Sequence, residues 1–150
     1  MTNTTGGNFA GTDDLNFVQF GFAQTGFSLF PRLSNIHVFK AGASFYPFEP
    51  FVGDKTWTKT FKNFEVGSAF YVYRKHHHQG ITSDPRVATS VGLGNTNSVL
   101  GSELDVFVRW RVVSDLSFSL NWGYFMPGDA YDDSVDEKRS FLSAGATFTF

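Results

Sequence analysis

Residues 140–150 read S-F-L-S-A-G-A-T-F-T-F, and their alternation confines the chain to a narrow set of folds. Leu142, Ala144, Ala146, Phe148 and Phe150 occupy every second position. Between them stand Phe141, Ser143, Gly145, Thr147 and Thr149, which are small or hydroxylated apart from the first. Side chains of a strand alternate between its faces, so the stretch spells one apolar face and one polar face. A terminal strand of a soluble domain tends to fray. A strand in a barrel wall is paired along its length and turns its apolar face to lipid. The pattern predicts an antiparallel β-sheet wall in a membrane.

The rest of the chain follows the same rule. Residues 15–22 place Val18, Phe20 and Phe22 on one face, and residues 35–46 alternate Phe39, Ala41, Ala43 and Phe45 against Lys40, Gly42 and Ser44. Pro47 and Pro50 end that run, since neither can donate to a ladder. Residues 63–73 set Phe64, Val66, Phe70 and Val72 against Glu65, Gly67, Ala69, Tyr71 and Tyr73. Residues 103–112 set Leu104, Val106, Val108, Trp110 and Val112 against Glu103, Asp105, Phe107, Arg109 and Arg111. Residues 116–126 alternate Leu116, Phe118, Leu120, Trp122 and Tyr124 with Ser117, Ser119, Asn121 and Gly123. With the last stretch this makes about six strands of about ten residues, the length a tilted strand needs to cross a bilayer.

The connections alternate as well. Residues 74–97 form a long polar loop, Ser114-Asp115 a tight turn, and residues 127–138 an acidic loop. Bacterial barrels pair short periplasmic turns with long outer loops in this way. Residues 51–61 read as a polar connection with room for a short hairpin, longer than that asymmetry favours. Residues 1–14 are polar and Gly-rich, a flexible lead-in to a single barrel segment over 15–150.

Composition agrees. A net charge of −2 offers no attraction to nucleic acid, and the absence of cysteine excludes disulfides and thiolate metal sites. The 19 Phe and 15 Gly suit aromatic girdles and close-packed strands. No apolar run is long enough for a membrane helix, and residues 1–7 lack the basic and apolar regions of a signal peptide. An outer-membrane protein needs such a leader, so either it has been removed or the chain is a piece of something longer.

Chemistry-bearing clusters are few. Glu103, Asp105, Arg109 and Arg111 share one strand face, either as a charged pore wall or as a salt-bridge ladder that stiffens the barrel. His76, His77 and His78 are adjacent, and adjacent side chains of an extended chain diverge, which disfavours a shared metal ion. Asp129, Asp132, Asp133, Asp136 and Glu137 match no calcium-loop spacing. Ser102, His76 and Asp105 could be drawn as a hydrolytic triad, but no nucleophile-elbow motif frames them. The chain is read as a non-enzyme without a cofactor or metal. Trp110, Trp122, Tyr124 and Phe125 read as a lipid-facing aromatic belt.

Three segments, P-R-L-S-N-I-H-V-F-K-A-G-A-S-F-Y-P at 31–47, G-S-E-L-D-V-F-V-R-W at 101–110 and L-S-F-S-L-N-W-G-Y-F-M-P-G-D-A-Y at 116–131, carry a further signal together with the final strand. In this order they resemble the alginate-export family of bacterial outer-membrane barrels, and an aromatic last residue after alternating apolar positions is similar to the assembly signal of such proteins. The resemblance implies an all-β, antiparallel transmembrane barrel wall, the C-terminal part of a barrel of about eighteen strands that passes an anionic polysaccharide outward. The expectation is therefore an export or porin-like channel in the bacterial outer membrane, carrying a polar or charged solute passively.

Its pore-lining residues are expected to be Lys40, Glu65, Tyr71, Tyr73, Glu103, Asp105, Arg109 and Arg111, a wall of mixed charge. Leu142, Ala144, Ala146, Phe148 and Phe150 are expected to face lipid and to be read by the barrel assembly machinery. Six strands fall short of a single-chain barrel, so the remaining strands are expected from missing N-terminal sequence or a partner chain. Two other readings use the same strands: a soluble lipocalin-like barrel with Leu104, Val106, Val108 and Trp110 turned inward on an apolar ligand, and a non-conducting structural subunit of an outer-membrane assembly.

Overall fold

A computed structural model describes residues 25–31, 35–53, 56–76, 78, 96–131 and 137–150. The strand expected at 15–22 and the lead-in at 1–14 lie outside them. The described chain forms one antiparallel sheet of five strands in sequence order. These are β1 (Ile36–Phe45), β2 (Phe64–Lys75), β3 (Val99–Val113), β4 (Leu116–Pro127) and β5 (Arg139–Phe148). All five coincide with expected strands, and β3 begins four residues earlier than its alternation suggested.

The register carries each strand's alternation across the sheet. Lys40 stands opposite Tyr71, Tyr71 opposite Glu103, Glu103 opposite Phe125, and Phe125 opposite Arg139. Facing residues share a side of the sheet. One face therefore gathers Lys40, Glu65, Tyr71, Tyr73, Glu103, Asp105, Arg109 and Arg111, together with Asn121, Ser119 and Ser143. The other gathers Phe39, Phe70, Leu104, Val108, Trp110, Phe118, Leu120, Trp122, Leu142 and Phe148.

Burial is inverted relative to a water-soluble sheet. The well-buried side chains (Leu29, Tyr71, Tyr73, Leu100 and Phe125) sit at one end of the polar face, beneath residues 25–31 and Ala130-Tyr131. The apolar face stays open, with Leu142 66% and Phe39 61% exposed. A contiguous apolar band of this kind belongs against another apolar phase. A β-bulge inserts Leu100 between the residues paired with Tyr73 and Arg74, and so turns Leu100 into the buried cluster.

The connection between β1 and β2 corrects one expectation. Among the described residues it holds no hairpin but a 3-10 turn at Glu49–Phe51 and one helical turn, α1 (Thr56–Lys59). Its physical reason lies at both ends. Pro47 and Pro50 deny the ladder its donors, and the segment folds back so that Phe48 and Phe61 pack on Phe64 and Trp110. The Trp110 indole N–H donates to the Thr60 carbonyl at 2.8 Å. The connection is long because it covers the aromatic end of the apolar face.

Candidate functional site: the polar wall and the strap across it

The sheet alone would leave the carboxylates of Glu103 and Asp105 on an open wall. Instead, residues 25–31 run over them as a strap. The Ser28 and Leu29 backbone N–H groups donate to Glu103 Oε1 and Oε2 at 2.5 and 2.9 Å. The Phe27 N–H donates to Asp105 Oδ1 at 3.4 Å. The Tyr73 hydroxyl donates to the Thr25 carbonyl at 2.5 Å and lies 3.1 Å from Glu103 Oε2, so its one proton is shared between them. The Thr25 hydroxyl donates to the Pro31 carbonyl at 2.7 Å, and the Ser28 hydroxyl to the Arg139 carbonyl at 3.2 Å. The strap is thus tied to β2, β3 and β5.

The grip follows from elementary accounting. An irregular segment off the sheet has no ladder partner for its N–H groups, and a buried carboxylate has no water. Each satisfies the other through charge-assisted bonds. Glu103 is completely buried as a result, and Asp105 is 1% exposed. Asp105 Oδ2 has no hydrogen-bond partner among the described residues.

Two glycines permit the approach. Gly26 has φ +125°, and a Cβ there would strike the Tyr73 hydroxyl and lie 2.8 Å from both Glu103 carboxylate oxygens. Gly123 faces Asp105 across the β3–β4 ladder, and a Cβ on it would come within 2.9 Å of Asp105 Oδ1, Phe27 Cβ and the Ser28 nitrogen. It is the floor on which the strap lies.

The remaining wall residues stay clear of the strap. Lys40 Nζ lies 5.2 Å above the Tyr71 ring, and the Arg109 guanidinium 4.5 Å from the Phe107 ring, both cation–π distances. Arg109 also pairs with Glu65 at 3.8 Å, and Arg111 donates to the Ser114 carbonyl at 2.8 Å. A ladder of salt bridges running through Glu103, Asp105, Arg109 and Arg111 is not what these side chains make, because the two carboxylates are spent on the strap. All eight residues expected to line a pore share this face, in two groups. Tyr73, Glu103 and Asp105 lie under or against the strap, with Tyr71 stacked on Tyr73, while Lys40, Glu65, Arg109 and Arg111 lie beyond it.

Leu142, Ala144, Ala146 and Phe148 stand on the opposite, apolar face, paired with Trp122, Leu120, Phe118 and Leu116. Phe150 lies just past β5 and is fully exposed. Trp110, Trp122 and Tyr124 share that face, but Phe125 does not. It is fully buried on the polar face against Tyr73 and Tyr131, a correction that follows directly from its odd position in β4.

Ser102 and Asp105, three residues apart on β3, point to opposite faces and cannot share a catalytic centre. His77, Asp132, Asp133 and Asp136 lie outside the described residues. Among the described residues no cluster of three or more His, Asp or Glu side chains could hold a metal ion.

The strap falls between the strands expected at 15–22 and 35–46, where the alternation assigns no role. A signal was available: two carboxylates side by side on one strand face, with a glycine where a cross-strand side chain should stand, require donors from elsewhere in the chain.

An open antiparallel sheet with transmembrane-length strands, an exposed apolar face and a polar face carrying its own inner segment defines the wall of a membrane β-barrel. Comparison with known families supplies the particular one. The family described as Alginate export matches residues 9–144, and the chain belongs to it. That family places it among outer-membrane β-barrel transport proteins. A comparison with curated proteins gave no match.

Proposed function

We propose that this chain forms part of the wall of an outer-membrane export channel whose passage favours anionic solutes, an acidic polysaccharide being the cargo the family name points to. The observation that carries the reading is the division of charge on the polar face. Glu103 and Asp105 are sealed under the strap, whereas Lys40, Arg109 and Arg111 remain exposed and Glu65 is half-buried beside Arg109. A wall that looks mixed in sequence thus presents a basic surface to the passage. Exposed cations replace part of the hydration of a passing carboxylate and raise its local concentration. The half-buried Phe107 ring beside Arg109 offers flat apolar surface to sugar faces.

The transport is passive in this reading, and the chain lies in the bacterial outer membrane. The ends of the sheet bearing the Ser114-Asp115 turn and Phe150 face the periplasm, and the strap faces outward with the long connections. The edges of β1 and β5 each pair on one side only among the described residues, and further strands complete the barrel. Those strands come from additional sequence or from a partner chain. The apolar residues of β5 serve recognition by the assembly machinery.

Reversal potentials under a salt gradient in planar bilayers test the proposal, with the protein taken from the outer-membrane fraction. Anion preference is the expected result, lost in an Arg109→Glu, Arg111→Glu double variant. Cation preference in the parent would refute the charge argument, and a folded, membrane-inserted protein without conductance would establish a structural subunit instead.

A further inference from the structure

At the end of the sheet where the strap lies, the apolar face finishes in a cluster of cationic and imidazole side chains. His37 and Arg74 stand opposite each other in the β1–β2 ladder, on the same face as Phe39 and Phe70. His76 is held beside them by its backbone N–H, which donates to the Asn35 carbonyl at 3.0 Å. His37 Nε2 and His76 Nδ1 are 2.7 Å apart, with the rings edge to face. His37, Arg74, Lys75, His76 and Asn97 line a cleft of about 550 Å³, to which no Asp or Glu contributes among the described residues.

The position of this cleft is its chief peculiarity. A channel has no use for cations on the outside of its wall, and a cation at the lipid boundary is costly unless an anion meets it. Directly below, Phe39 pairs with Val72 and Ala41 with Phe70. The two phenylalanines are 61% and 44% exposed with the small Ala41 beside them, and Phe39 also lines the cleft, so open apolar surface begins where the cleft ends. An anionic head above and hydrocarbon below is the chemistry of a phosphorylated lipid.

We propose that this rim is a binding site for a phosphorylated glycolipid of the outer leaflet. The Arg74 guanidinium forks onto a phosphate, the imidazole N–H groups of His37 and His76 complete its coordination, and an acyl chain lies against the exposed Phe39 and Phe70. The inference rests on the orientation given above, in which the strap end faces outward.

The test uses the whole protein in zwitterionic detergent with a chelator present, titrated with bis-phosphorylated lipid A and followed by native mass spectrometry. The expected result is one saturable lipid A per chain, a loss of affinity of about tenfold or more in His37→Ala, Arg74→Gln, and a smaller loss in Arg74→Lys, which keeps the charge but not the fork. Heat-modifiable gel migration confirms that each variant is folded. Should the double variant not fold, Arg74→Gln alone carries the same expectation.

Lipid A with both phosphates removed should bind no better than the double variant does. Unchanged binding in the folded variants would overturn the site. Displacement of lipid A by inorganic phosphate at equal concentration would overturn the assignment to a lipid. A separate reading isolates the orientation: the chain has no cysteine, so His78→Cys, also on this cleft, should be labelled in intact cells by a membrane-impermeant maleimide. Absence of labelling would sink the orientation, and the lipid site with it. Labelling without lipid A binding would sink the lipid site alone.

Discussion

Replacing Glu103 with alanine should release the strap while leaving the sheet in place. Glu103 accepts the Ser28 and Leu29 N–H groups and shares the Tyr73 proton, all in a fully buried setting. Hydrogen bonds to a charged acceptor are worth about 1.5–3 kcal/mol each, so losing the two backbone bonds removes about 3–6 kcal/mol from strap attachment. Against them stands the entropy of ordering residues 25–31, about 1–2 kcal/mol per residue. The strap's net margin is consequently small, and a loss of that size lowers the attached-to-free ratio by about a hundredfold or more. The β3 ladder uses backbone groups and is untouched by the change.

Chymotrypsin in detergent reads the difference, because Phe27 and Leu29 are cleavable only when the strap is off the wall. When opening is fast relative to cleavage, the rate reports the open population. Glu103→Ala should be cut faster until the strap is fully open, by at most about a hundredfold given the small margin, and Glu103→Gln, which keeps one carbonyl acceptor, should fall between it and the parent. Heat-modifiable migration of the whole chain should be unchanged. Equal cleavage rates in all three proteins, with the fold intact, would refute the reasoning, since the carboxylate would then not be what holds the strap.

Gly26→Ala should resemble Glu103→Ala in the same protease assay, because the new Cβ meets the Tyr73 hydroxyl and both carboxylate oxygens and the left-handed φ is strained for alanine. Val108→Lys puts a charge on the apolar face opposite Leu120 and should reduce recovery in the outer-membrane fraction, at about 2–4 kcal/mol near mid-bilayer; a protein still fully inserted would argue against lipid on that face. Arg109→Glu sets like charges across the β2–β3 ladder at Glu65, yet Arg109's side chain is 54% exposed, so the stability change should stay within about 1 kcal/mol. Its effect should appear instead as a shift of reversal potential toward cations.

How much of this was legible in the chain follows from where each signal resides. Alternation is local, so 103–112 and 140–150 could be assigned to strands and divided into two faces without any partner, and the antiparallel register then joined those faces across five strands. The same parity settles Phe125, whose bulk invites assignment to the aromatic belt while its odd position in β4 places it with Glu103. The turns at Glu49–Phe51 and Thr56–Lys59 escaped because their stabilisation is tertiary: Phe48 and Phe61 fold there to reach Phe64 and Trp110.

By itself, then, the sequence determined that this chain is a sheet with one apolar and one polar face, because side-chain direction in a strand needs nothing but position parity. It also determined which residues share each face. Only the tertiary structure decided which charges on the polar face remain available. Burial of Glu103 and Asp105 depends on backbone donors more than 70 residues away in sequence, and no local pattern encodes the meeting of a strap with a wall. Through that meeting both carboxylates are buried while Lys40, Arg109 and Arg111 stay exposed.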